Sequence, residues 1–521
     1  MNNINPHIFP LMPNKFSVGA SLDEKKPNAC SRESVNECYI GIKGSKIHAA
    51  LAQKVHVRPK TNLVEDYECA YLGPEENRAE ILNLPEASQE TIHDTSKALT
   101  AIKVKDQLTS NVKGRDFDYP KVTFLGTGSS VPSKYRNVSA ILIENLPGRF
   151  IILDCGEGTV LQLHRMFGRK GALRILRNLT AVYISHLHAD HHLGLITIIK
   201  ERQKAFEDIE APVEMLYLLA PSRISVFLCL YHAKFEDILT DVCQIRNEHL
   251  LPFIPPNPND AQQDKLRCPP SNTKTRSRDN RDPIFEKNPY SNQAIDVKGK
   301  IVTTQKLYPQ ILDPLLKTIG LKSVKTCRAL HCPGAFCVSF WFDYAEEGRE
   351  FKLVYTGDTR PTDQLDQLAT TADLLIHEAT LEHYMLYDCK IKKHSTFTEA
   401  VECAKDANAK FTILTHFSQR YPKFPFFEEF ENEENVGCAW DLMTVSPKTF
   451  KYIKPCYPAV YARFPEDLSE MKAKKEQYVH TTEATSEERI TKNLGIETDT
   501  VTYNAGPKRF KKRIVDAKTN T

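Results

Sequence analysis

Hydrophobic positions along this chain arrive in short β-branched runs, most of them closed by glycine or by a polar cluster. Between about 121 and 250, "KVTFLGTG", "SAILIE" and "RFIILDCGEG" predict strands. "EGTVLQLHRMFG" carries helical spacing and predicts a helix ended by Gly168. "TAVYIS" predicts a further buried strand, "LGLITIIKERQKAF" a helix, and "VEMLYLLAP" a return to strand. Beyond about 300, "REFKLVYTGDT", "ADLLIHEAT" and "KFTILTHF" predict three more strands, separated by helical segments such as "TFTEAVECAKDANA". Strands alternating with helices give the pattern of an α/β enzyme core.

Other stretches lack this pattern. Residues 1 to about 115 are polar and mixed, with apolar islands such as "HIFPLM" and "AEILNLP" from which no closed core can be built. Proline, asparagine and charge dominate residues 252–295, which predicts a disordered or loop insertion. Residues 465–521 form a charged tail containing "KRFKKR" (Lys508 to Arg513), either a solvated end or a nuclear-import or RNA-phosphate patch. No solenoid-type repeat is visible.

Composition narrows the class. With 521 residues, 41% of them hydrophobic, the chain can bury at least one sizeable core. A net charge of +3 neither demands nor excludes a nucleic-acid partner. Fourteen scattered cysteines fit a reduced intracellular compartment. "MNNINPHIFPLMPNK" reads as neither a secretory signal nor a mitochondrial presequence, and no apolar run reaches the ~18 residues of a membrane span. The expectation is a soluble intracellular protein.

The densest chemistry is "SHLHADHHLG", Ser185 to Gly194. His186 and His188, two apart on an extended backbone, project to the same side and suit one metal ion. Asp190 and His191 follow as the chain turns into a helix and point to a second position nearby. Zinc favours imidazole nitrogen and carboxylate oxygen. His331 in "RALHCPGAFC", Asp358 in "VYTGDTR" and His416 in "ILTHFSQRY" each follow an apolar run, where neighbouring parallel strands can bring side chains to one sheet edge. His192 receives no role. Asp154, in "LDCGEG", is expected to hydrogen-bond a metal-bound histidine rather than to ligate. Gly126, Gly128, Gly156 and Gly158 are read as sharp strand-to-loop turns.

Together these residues resemble the metallo-β-lactamase superfamily, an αββα sandwich with a dinuclear zinc site at one sheet edge. Within it they resemble tRNase Z, the endonuclease that removes 3′ trailers from precursor tRNA. The likeness rests on "GTGSSVPSKYRNVSA" (Gly126 to Ala140), with a PxKxRN loop at Pro132 to Asn137, on "HEAT" (His377 to Thr380), on "HST" (His394 to Thr396), and on "HFSQRY". It extends over about residues 118–460 and is nearest to the C-terminal half of the long eukaryotic form, with residues 1–115 as a partial remnant of the N-terminal half.

The resemblance implies one zinc on His186, His188 and His331, a second on Asp190, His191 and His416, and Asp358 bridging them. It implies that Asp190 orients or deprotonates the attacking water, and that His394 protonates the departing 3′ oxygen with support from Glu378. Pro132, Lys134, Arg136 and Asn137 would contact substrate, Lys134 and Arg136 through phosphates. It further implies precursor tRNA as partner and a nuclear or mitochondrial location. Oligomeric state stays open. The rivals are another phosphodiesterase on the same scaffold, lacking need of the PxKxRN loop, and an RNA-binding pseudo-nuclease.

Overall fold

The computed structural model describes residues 82–109, 118–251, 308–344, 347–421 and 432–477, together with four short strands earlier in the chain. Those four are β1 (Tyr39–Ile42) paired antiparallel with β2 (Ser45–His48), and β3 (Lys54–His56) paired antiparallel with β4 (Val64–Asp66). The expected insertion at 252–295 and the basic "KRFKKR" cluster lie outside the described residues.

Two sheets carry the fold. The first is built from β5 (Lys121–Gly126), β6 (Ala140–Leu146), β7 (Arg149–Cys155), β8 (Leu179–Tyr183), β9 (Leu216–Ala220) and β10 (Val242–Arg246). The second holds β11 (Leu321–Arg328), β12 (Phe336–Tyr344), β13 (Arg349–Tyr355), β14 (Leu374–Glu378), β15 (Thr412–Thr415) and β16 (Val436–Cys438). The last strand, β17 (Met443–Val445), returns to the first sheet, whose order is β10-β9-β8-β7-β6-β5-β17. The second sheet runs β11 to β16 in sequence order.

Both sheets share one logic. Two antiparallel steps (β5 to β6 to β7, and β11 to β12 to β13) are followed by parallel strands. Two reversals restore direction, so β5, β7 and β8 end at one edge of their sheet, and β11, β13, β14 and β15 end at one edge of theirs. Successive side chains on a strand point to opposite faces. Leu142, Ile152 and Val182 accordingly join a core with Leu163, Ile175, Ile198 and Leu228 from the helices Thr159–Arg177, Leu195–Glu207 and Ile224–Lys234. Val354 and Leu375 pack with Leu365, Leu368 and Ala404 from Asp363–Ala369 and Phe397–Asp406. Residues of the opposite parity face the other sheet, where Tyr183 meets Phe340 edge-on at 6.2 Å and donates through its hydroxyl to the Phe336 carbonyl at 2.7 Å. The result is the expected αββα sandwich.

The strands and helices expected from the apolar runs are present, with differences at three places. The helix expected to stop at Gly168 continues to Arg177; Gly168 breaks it locally with φ 66° and ψ 171°, and the apolar face resumes beyond. Strand β12 lies outside the expected runs although Phe336–Tyr344 is buried almost throughout, and β11, the strand leading to His331, pairs antiparallel with it rather than with a parallel neighbour. Residues 86–109 form a helix, where no element was expected. Its Leu99 is 6% exposed, and it packs against the helix Tyr457–Arg463 and the turn Lys454–Cys456. The partial N-terminal remnant expected over residues 1–115 lies mainly outside the described residues. Backbone contacts divide the chain after Pro465, and residues 466–477 are helical. No helix among the described residues is long and apolar enough to cross a membrane. Among the described residues, the buried Cys155, Cys327, Cys337, Cys389, Cys403 and Cys438 form no disulfide.

The packing of helix 86–109 gives a test. Leu99→Ala should lower unfolding free energy by about 2 kcal/mol or more and speed amide exchange within 86–105. Unchanged exchange would show that the helix is held by something else.

Candidate metal centre

The two sheet edges meet where β7, β8, β11, β13, β14 and β15 end, and the chemistry-bearing residues gather there. Phe336 N–H donates to the Ser185 carbonyl at 3.0 Å, and Phe417 N–H to the Thr127 carbonyl at 2.8 Å, so the sheets are stitched at this edge by backbone. Close approach demands glycine at particular points. A Cβ on Gly357, which has φ +54°, would lie 2.6 Å from the Ser185 Cβ, and one on Gly156 would lie 2.3 Å from the Asp190 carbonyl oxygen.

Three imidazoles form one pole. His186 Nε2 and His331 Nε2 each lie 3.0 Å from His188 Nδ1. His186 and His331 are buried, while His188 is the exposed member. A second pole joins Asp190, His191 and His416: Asp190 Oδ2 lies 3.5 Å from His191 Nε2 and 3.4 Å from His416 Nε2. Between the poles sits Asp358, 3% exposed, with Oδ2 at 3.6 Å from His186, 3.3 Å from His191 and 3.7 Å from His331, and Oδ1 at 3.3 Å from His416. These groups are arranged to hold cations.

The outer ring nitrogens are anchored, which aims the inner ones. Asp154 Oδ2 lies 2.7 Å from His191 Nδ1 and also accepts from Ser185 Oγ and Tyr355 OH, each at 2.7 Å. The Lys393 carbonyl lies 2.8 Å from His331 Nδ1, Thr380 Oγ1 lies 2.9 Å from His416 Nδ1, and Ser185 Oγ lies 3.0 Å from His186 Nδ1. Such partners fix ring tautomer and orientation. Asp154 therefore touches a histidine of the cluster from outside, at a backbone φ of 51°.

Charge balance inside the cluster is unusual. Burial would raise the Asp358 and Asp190 carboxyls, but the surrounding imidazoles, His191 first in both cases, hold them well below the usual carboxylate range. Burial would lower the His191 pKa, but Asp358, Asp154 and Asp190 push it well up. His191 Nε2 and Asp358 Oδ1 are buried and make no hydrogen bond among the described residues. Buried polar atoms without a partner are rare in folded proteins and call for an explanation such as an ion.

His394 stands at the margin. Its Nδ1 lies 3.0 Å from Glu378 Oε1 and 3.9 Å from Asp358 Oδ2. Burial acts to lower its pKa, but Glu378 and then Asp358 outweigh this and push it up to about 9. Glu378 is fully enclosed and also accepts from Thr359 N–H at 2.7 Å and Thr380 Oγ1 at 2.6 Å, so it orients His394 without facing solvent. Arg360 donates to the His394 carbonyl at 2.7 Å and pairs with Glu399. His192, half-buried, places Nδ1 2.8 Å from the His188 carbonyl and meets Phe227 edge-on.

The loop after β5 differs from expectation. Pro132 and Lys134 are exposed, but Arg136 is 2% exposed. Its guanidinium donates to Thr127 Oγ1 at 2.7 Å and the Tyr421 carbonyl at 3.1 Å, and stacks over Phe417 at 5.0 Å. Arg136 therefore braces the loop from below rather than offering its charge to a phosphate, because a buried, partnered guanidinium cannot reach solvent. Asn137 is half-buried, with its N–H donating to Asp441 Oδ2 at 2.6 Å. Asp441 was missed by sequence reasoning, since "AWDLM" carries no motif. It also accepts from Thr127 N–H, Thr127 Oγ1 and Gln162, and burial pushes its pKa up to about 6. Gln419 holds the Val131 carbonyl at 2.7 Å, and Ser130 N–H donates to Asp190 Oδ2 at 2.6 Å, coupling loop to cluster.

Comparison with known proteins follows the same lines. A family model described as anti-Pycsar protein Apyc1 matches residues 120–217, the segment from β5 through the histidine-rich turn. The chain is 30% identical over 483 residues to the mitochondrial ribonuclease Z of Drosophila melanogaster, covering 91% of this chain and 54% of that protein. It is 34% identical over 426 residues to zinc phosphodiesterase ELAC protein 2 of Rattus norvegicus, covering 81% of this chain and 44% of that protein. The chain thus spans about half the length of the curated relatives it matches. Among solved structures, a long-form RNase Z from yeast is 30% identical with TM-score 0.53, covering 68% of this chain and 45% of the other.

The contact under Gly357 sets a steric test of this edge. Gly357→Ala should lower the urea midpoint, at a cost of about 1–3 kcal/mol from overpacking. An unchanged midpoint would mean that the sheets can part without penalty.

Proposed function

We propose that this chain, which belongs to the ribonuclease Z family of the metallo-β-lactamase superfamily, is a zinc-dependent endonuclease that removes the 3′ trailer from precursor tRNA. The observation that carries the reading is the pair of donor groups sharing the buried Asp358, with His394 poised beside them. Names of relatives add zinc, ribonuclease activity and, for one of them, a mitochondrial setting; we take nucleus or mitochondrion as the expected compartment. Residues 118–460 form the proposed catalytic unit.

The donor set fits zinc. Tetrahedral zinc at about 2.0–2.1 Å from each nitrogen sets its donors about 3.3 Å apart, close to the 3.0 Å between the His188 nitrogen and its two neighbours. The buried, unpartnered His191 Nε2 and Asp358 Oδ1 are the atoms such an ion would satisfy. His186, His188 and His331 would hold one zinc, Asp190, His191 and His416 the other, and Asp358 both. When bound, the pair supplies Lewis acidity toward the phosphate and toward water.

The chain's own groups do the rest. Hydrolysis adds water oxygen to phosphorus and breaks the bond to the 3′ oxygen, leaving a 3′-hydroxyl on the tRNA and a 5′-phosphate on the trailer. Asp190, fixed by Ser130 N–H, orients that water and receives its proton or hydrogen bond. His394 gives a proton to the departing 3′ oxygen, and Glu378 holds its ring for that transfer. Pro132 and Lys134 on the exposed loop, with Asn137 behind them, border the substrate's path.

Incubation of the full chain with zinc and a 3′-extended precursor tRNA should yield cleavage after the discriminator base, absent in Asp190→Ala. Intact RNA with full zinc occupancy would instead support a pseudo-nuclease. Chelation should abolish cleavage and added zinc restore it. His394→Ala should slow RNA cleavage by about 10²–10⁴-fold yet spare hydrolysis of bis-p-nitrophenyl phosphate, whose leaving group needs no proton. Equal losses on both substrates would remove His394 from the acid role.

A further inference from the structure

We propose that Lys390, Lys392 and Lys393, with Tyr387, form the surface that grips the RNA backbone on the 5′ side of the cleaved bond. The helix Leu386–Lys392 runs along the rim directly before His394. Lys390, Ile391, Lys392 and Lys393 are all exposed, and Tyr387 is 71% exposed. Three cations in four residues stand there without an ion pair among the described residues. Some exposed lysines elsewhere are paired singly, Lys405 with Glu433, Lys410 with Asp373 and Lys322 with Glu350; what sets the ridge apart is three unpaired lysines within four residues.

The ridge is tied to the centre by its backbone. Lys393 has φ 58°, a left-handed conformation that favours glycine, and yet carries a long cationic side chain. That conformation brings its carbonyl 2.8 Å from His331 Nδ1, while His394 N–H donates to the Cys389 carbonyl at 2.9 Å. The lysines therefore stand at a fixed place relative to His331 and His394. Unpaired cations on a backbone anchored beside a phosphodiester site suit the RNA backbone, and an exposed tyrosine offers a face on which a base can stack.

Which side of the scissile bond the ridge serves follows from the acid, and here the inference rests on the proposed role of His394. In an in-line displacement the attacking water and the leaving oxygen lie on opposite sides of phosphorus. The nucleotide whose 3′ oxygen receives the proton must lie on the His394 side, and so against the ridge. The ridge thus recognises the end of the mature RNA, and the trailer lies away from it.

The test compares the full zinc-loaded chain with a Lys390→Gln, Lys392→Gln, Lys393→Gln variant on oligoribonucleotides lengthened either 5′ or 3′ of one cleavable bond. The expected result is a raised KM confined to the 5′-lengthened series, with kcat little moved. The slope of log KM against log salt should fall by about 2, since each phosphate contact to a single strand contributes about 0.7. An unchanged slope, or a loss equal in both series, would overturn the proposal. Should the unsubstituted chain cut no RNA, the nuclease reading fails separately. Filter binding of the same RNAs then judges the ridge, with a lowered slope supporting it and an unchanged slope rejecting it.

Discussion

Everything at the working edge is arranged around one buried carboxylate. Asp358, 3% exposed, has five imidazoles within 3.3–3.9 Å: His186, His191, His331, His394 and His416. An ionised carboxylate taken out of water costs several kcal/mol unless charge of the opposite sign repays it. The imidazoles hold its pKa down, and Asp154, Thr380, Ser185 and the Lys393 carbonyl turn those rings inward. A cluster with two buried oxygen and nitrogen atoms left without hydrogen bonds is a chelate before it is a catalyst. The geometry of the two sheets exists to deliver these side chains from both edges to one point.

That delivery explains the backbone. Two antiparallel steps in each sheet restore strand direction, so His331 arrives at the same edge as Asp358 and His416 although β11 and β13 are separated by an antiparallel neighbour. Gly357 and Gly156 let the chain pass where no Cβ fits. The loop from Thr127 to Val138 is then clamped by Asp441, Arg136, Gln419 and Asp190, which leaves Lys134 exposed on a rigid support. Two lysine-bearing rims result: this loop, coupled to Asp190, and the helix before His394, coupled to His331.

Much of this was legible in sequence where chemistry is local. His186, His188, Asp190 and His191 share one strand end, so spacing alone places their side chains. Asp358 and His416 were legible because each follows a buried strand. Arg136 departs from the phosphate contact that the resemblance implied, because Tyr421 and Phe417 come from a distant part of the chain to close over it with Thr127. Asp441 left no sequence signal, since its partners come from positions 127, 137 and 162. The helix 86–109 was hidden because its apolar stripe is weak and is completed only by the distant helix Tyr457–Arg463.

The central claim is that the cluster binds two ions sharing Asp358. Native mass spectrometry of the zinc-loaded full chain tests it most directly. Two zinc ions per chain are expected in the unsubstituted protein. A chain that retains none, or saturates at one, would contradict it.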